Sequence, residues 1–150
     1  MTVKKIFSVL LLTLLILSLG SCALVGSTIE VEDGVISVSG SYLSTKMVLV
    51  GNEEKDITDN DIKRALLEAI DGKTPDESYV YTGETCECEI KYIIRVIGTY
   101  PKGYYLSIHD HGIEISAYCK FRKCMELMGV VELDEETMSE LIDMLESMED

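Results

Sequence analysis

Six side chains have the chemistry to hold a soft metal ion or to cycle electrons: Cys86, Cys88, Cys119, Cys124, His109 and His111. Thiolate and imidazole are preferred ligands of zinc and copper. Cys86 and Cys88 with His111 would make a three-ligand metal site. The same Cys-x-Cys pair closed on itself would be a small, strained, easily reduced ring. Neither spacing is a standard one. Zinc sites favour at least two residues between paired cysteines. Redox dithiols favour Cys-x-x-Cys beside a helix N-terminus that stabilises the thiolate. Here Glu87 and Glu89 flank the thiols and oppose their ionisation.

Carboxylates are abundant, and their abundance dilutes their meaning. Asp59 with Asp61, and Glu135 with Glu136, fall at expected helix starts, where negative charge meets the positive end of the helix dipole. The chain has no Gly-rich phosphate loop, no G-x-S-x-G elbow, no H-E-x-x-H helix and no EF-hand loop. The residues therefore point away from an enzyme and call for no cofactor.

The fifth cysteine has a different setting. Lys4 and Lys5 precede an apolar run from Ile6 to Leu19, broken only by Ser8, Thr13 and Ser18. A basic start followed by a short apolar run is the pattern of a secretory signal. The run falls short of the roughly 20 residues that span a bilayer. It ends in Leu19-Gly20-Ser21-Cys22. This stretch resembles the lipobox of prokaryotic lipoproteins, an aliphatic residue and two small ones before a cysteine. The resemblance covers residues 1–22 and is silent on the rest. It implies cleavage before Cys22, transfer of diacylglycerol to the Cys22 thiol, and an extracytoplasmic protein held to the cell membrane by lipid.

Residues 1–21 are then the signal peptide, 22–27 a short tether and 28–150 one domain. The precursor carries 13 basic and 27 acidic residues; without Lys4 and Lys5 the mature chain has 11 and 27, a net charge of −16. That balance excludes nucleic acid as a partner. It also argues against contact with an anionic lipid surface beyond the anchor. A protein partner at the membrane surface is the remaining expectation.

The elements that position these residues follow from periodicity. Ile29 to Glu32 and Val35 to Val38 alternate around Asp33-Gly34, the signal of a type I′ hairpin pairing Val31 with Ile36. Tyr42 to Val50 reads as a further strand and Gly51 to Asp56 as a polar loop. A helix is predicted from Thr58 to Gly72, with Ile62, Leu66, Ala69 and Ile70 on one stripe. Tyr79 to Tyr81 is a candidate short strand. Glu89 to Cys119 reads as a three-stranded meander pairing Val96 with Ile108 and Tyr104 with Cys119. That register sets Arg95, His109 and Glu114 on the outer face, with Tyr105 and Tyr118 as a modest binding surface there. A last helix follows Asp134, with Met138, Leu141, Ile142, Leu145 and Met148 in line. The expected class is α+β: an N-terminal hairpin and a meander in an antiparallel sheet, with two amphipathic helices on one face.

With Cys22 lipidated, four cysteines remain in an exported domain, the usual mark of disulfides. Cys119 beside Tyr104 lies about 40 Å from Cys86 and Cys88 at roughly 3.3 Å per strand residue. A disulfide needs Cα atoms within about 7 Å. Cys119–Cys124 is the predicted bond, leaving Cys86 and Cys88 as a Cys-x-Cys bond or a dithiol. The expected function is a non-enzymatic binding or structural lipoprotein, with a metal-binding or thiol-redox lipoprotein as the alternative.

Overall fold

Asp33 and Gly34 carry positive φ angles of 52° and 78°, the left-handed pair that a type I′ turn requires. They join β1 (Thr28–Glu32) to β2 (Val35–Ser39) in the register read from the sequence, Val31 opposite Ile36 and Ile29 opposite Val38. The molecule is known from a computed structural model, which describes residues 26–76, 89–97 and 102–148. Cys22, Cys86, Cys88 and the candidate strand at Tyr79 to Tyr81 lie outside the described residues.

The hairpin forms a two-stranded sheet of its own. The main sheet is antiparallel and six-stranded, in the order β4-β3-β5-β6-β7-β8. Its strands are β3 (Lys46–Val50), β4 (Lys55–Ile57), β5 (Tyr92–Ile97), β6 (Lys102–Ile108), β7 (Gly112–Cys119) and β8 (Cys124–Glu132). Among the described residues there are two helices, α1 (Asn60–Ile70) and α2 (Glu135–Glu146). The expected α+β class is corrected: the fold is mainly β, 45% strand against 25% helical among the described residues. Two strands account for the difference. β4 sits in what reads as a polar loop, because its Lys55 and Asp56 are exposed and only Ile57 is buried. β8 breaks its own alternation at a bulge opposite Ile115 and Ser116, where Gly129 takes a φ of 136°. Tyr42–Ser44, expected in a strand, forms a 3-10 turn ahead of β3.

The meander register is also corrected. Val96 pairs with Tyr104 and not Ile108, and Cys119 with Lys102 and not Tyr104. Both slips keep the same set of side chains on each face, since side chains alternate with a period of 2. The apolar set Ile94, Val96, Leu106, Ile108 and Ile115 is therefore buried on one face as expected, joined by Met47, Leu49 and Ile113. Burying each such side chain contributes about 1.5–3 kcal/mol.

Both helices and the hairpin lie over that face. Asp59, not Thr58, caps α1: its carboxylate accepts the N–H groups of Asp61 and Ile62 at 2.7 and 3.4 Å. Ile62, Leu66, Ala69 and Ile70 are buried, and the chain leaves the helix through Gly72 at φ 70°. Asp134 caps α2 by accepting the Thr137 N–H at 2.8 Å. Met138, Leu141 and Leu145 are buried beneath it. α2 follows β8 at one sheet edge, and Lys55 on β4 at the other edge donates to the Met148 carbonyl. The helix therefore crosses the sheet. α1 crosses beside it, from β4 back to Asp76, which bridges the outer edge of β8 at Val130. The hairpin lies beyond α1, with the Ile36 N–H donating to the Lys73 carbonyl at 2.8 Å.

Candidate functional site at the tether end of the sheet

The two ends of the sheet differ. One end holds the start of β3, the end of β5, the start of β6 and the β7–β8 turn, because Lys46 pairs with Ile97, Val96 with Tyr104, Lys102 with Cys119, and Cys119 with Cys124. The chain enters the fold at this end. A Cβ built on Gly26 would stand 3.3 Å from the Ile97 carbonyl. Ser27 is 1% exposed, and its N–H donates to Thr45 Oγ1 at 2.7 Å. Thr45 Oγ1 also lies 2.7 Å from Ser27 Oγ and 2.8 Å from the Ser41 carbonyl. Gly26, four residues after Cys22 in the sequence, is thus already packed against the sheet.

A groove of about 860 Å³ opens at the same end, between β1 and the β7–β8 hairpin. Tyr104 and Ala117 line it together with Ile29 and Val31, and Glu30, Glu32 and Glu126 place carboxylates along it with Arg122 among them. Burial pushes the Tyr104 phenol above its usual range, partly opposed by the Ile29 amide. β1 contributes four residues to the groove and β2 none. In a hairpin closed by a two-residue turn, alternate residues turn their N–H and C=O groups away from the partner strand. On β2 these include Ile36, which bonds Gly72 and Lys73, and Val38, whose N–H donates to Asp71. On β1 they are Ile29 and Val31, both of which line the groove.

The predicted cysteine pair is at this groove. Cys119 and Cys124 stand directly opposite each other at the ends of β7 and β8. They are not joined by a disulfide, and their sulfurs are not at bonding distance. Of the predicted metal trio only His111 falls among the described residues, in the β6–β7 turn at the far end of the sheet. Its ring lies 6.5 Å from that of His109. His109, expected on the outer face, is buried at 2% exposure. Neither of its ring nitrogens has a hydrogen-bond partner among the described residues. It follows β6 in the turn, where its N–H donates to Gly112 and its side chain leaves the alternation of the strand. Among the described residues no three His, Cys, Asp or Glu side chains converge as metal ligands. The outer row is Arg95, Tyr105, Ser116 and Leu127, with Arg95 bonded to Glu54 at 2.9 Å. Tyr105 and Tyr118 are half-buried on that outer face.

Sequence reasoning missed the β7–β8 turn. Lys120, Phe121, Arg122 and Lys123 form it, and all four are exposed. Three basic residues in four, within a chain of 13 against 27 acids, is a visible local signal. The net charge conceals it. Comparison with family models, with curated proteins and with solved structures finds no match to this chain. No helix among the described residues is long and apolar enough to cross a membrane.

Proposed function

We propose that this chain is an extracytoplasmic lipoprotein, cleaved before Cys22 and anchored through a lipid on that residue. Its domain serves as a non-enzymatic binding module at the membrane surface. The observation that carries the reading is the lipobox-like Leu19-Gly20-Ser21-Cys22 only four residues ahead of Gly26 and five ahead of Ser27, which is packed into the fold. Four residues reach at most about 14 Å when extended. The groove lies at that same end, which suits a partner that is itself at the membrane. Two acyl chains on Cys22 would hold the protein stably, at about 0.8 kcal/mol for each buried CH₂.

The test is Cys22→Ser in the full-length chain, followed by fractionation and by metabolic labelling with a fatty acid. Loss of label and release of the cleaved domain from the membrane fraction support the reading. Undiminished membrane association without label points instead to an uncleaved N-terminal helix.

A further inference from the structure

We propose that the tether end of the sheet docks directly on an anionic phospholipid bilayer, with the β7–β8 turn as its contact. This rests on the anchored reading above and adds a second, non-covalent membrane contact to it.

Apolar exposure is concentrated there. Six large apolar residues are exposed among the described residues, and four lie at this end: Leu43, Ile97, Phe121 and Met125. Phe121 is 70% and Met125 58% exposed. Leu43 is in the 3-10 turn ahead of β3, and Ile97 ends β5 beside the tether. Neighbouring strands are about 4.8 Å apart, so the β7–β8 turn stands roughly 10–14 Å from the tether entry on β5. Both features therefore present to one plane.

Charge is arranged to match. Lys120, Arg122 and Lys123 surround Phe121. Lys46 starts β3 at the same end, 3.5 Å from Asp56. Among the described residues, Glu30, Glu32 and Glu126 lie along the groove, while Asp56, paired with Lys46, and Asp59 and Asp61 at the start of α1 lie on the β3–β4 side of this end, away from the β7–β8 turn. The densest acidity is elsewhere. From Asp134 to Asp150 the chain has eight acidic residues and no basic one. The α2 helix in this stretch crosses the far end of the sheet, where Glu146 acts on Lys91 and the last turn reaches Lys55. An anionic surface attracts the basic turn and repels α2, which orients the domain with the tether end down. An aromatic ring flanked by Lys and Arg suits the boundary between headgroups and acyl chains.

The sequence contains no tryptophan, so F121W supplies a sole reporter. The full chain carrying F121W is purified from membranes and reconstituted in phosphatidylcholine vesicles with and without phosphatidylglycerol. Some of the lipid is brominated in its acyl chains to quench an inserted indole. The proposal expects about twofold or stronger quenching in the phosphatidylglycerol vesicles, as for a ring at the interfacial depth. It also expects loss of quenching in F121W/K120E/R122E/K123E, and none in I90W at the other end of the sheet. An F121W indole that is unquenched, or quenched no more than that of I90W, overturns docking and assigns the turn to a protein partner. The intact mass of the same sample reports the lipid on Cys22 independently. Lipid on Cys22 with an unquenched indole overturns docking alone. A quenched indole on a chain without that lipid supports docking and contradicts anchoring.

Discussion

Replacing Thr45 by valine keeps the shape of the side chain and removes its hydroxyl. The structure makes that hydroxyl the clamp between the tether and the fold. It accepts the Ser27 N–H at 2.7 Å and lies within 2.8 Å of Ser27 Oγ and the Ser41 carbonyl. Ser27 and Thr45 are each 1% exposed, so water cannot replace the lost partners without opening the site. Leaving a buried polar group unsatisfied costs about 1–3 kcal/mol. The Ser27 amide alone accounts for that much, and the stranded Ser27 hydroxyl adds to it, giving about 3 kcal/mol in all. With a urea m-value of about 1.5 kcal/mol/M, the unfolding midpoint of the mature chain falls by about 2 M. Equilibrium urea unfolding followed by circular dichroism measures it. Hydrogen exchange at the Ser27 amide should rise in the same variant, because its acceptor is gone. A midpoint within about 0.3 M of the parent, with the Ser27 amide still protected, refutes the clamp.

Two further outcomes follow from local chemistry. The carboxyl of Asp134 is held below its ordinary range by the Thr137 backbone N–H and then by the Thr137 hydroxyl. A lowered folded-state pKa gives stability that is present above the unfolded value of about 3.9 and lost as pH falls through the folded one. Asp134→Ala should therefore destabilise fully near neutral pH and progressively less under acid. Unfolding midpoints that differ from the parent equally at both pH values would count against the cap. Cys119 and Cys124 face each other across the β7–β8 ladder, where opposed Cα atoms are about 4.5–5.5 Å apart, inside the range a disulfide spans. Mild oxidation should join them, seen as a linked pair in a non-reducing peptide map. Recovery of Cys119 linked to Cys86 or Cys88 would overturn the placement of β7.

Much of this fold was legible where local and long-range preferences agree. Asp33-Gly34 dictates both a turn type and the register of its hairpin. The stripes of α1 and α2 can each be buried on one side only. Register in the meander was less legible, because an even slip leaves every side chain on its face, and hydrophobic alternation cannot choose between Val96–Tyr104 and Val96–Ile108. Val130 to Leu133 reads as a strand or an extended lead-in, while the first half of β8, Cys124 to Gly129, escaped for a related reason. Its first residues face the open groove, so Cys124 and Glu126 need not be apolar, and Gly129 interrupts the pattern further on. His109 was misplaced by treating a turn residue as part of the strand. The candidate site was the least legible part. The groove arises because β1 crosses the end of another sheet, which no local pattern records. The basic turn was hidden by a net charge that averages it with the acidic α2.

The mass of the intact protein extracted from membranes tests the central claim most directly. The predicted mass is that of residues 22–150 with a diacylglyceryl group on Cys22. A mass that still includes residues 1–21, or a mature chain whose Cys22 carries a bare thiol, contradicts it.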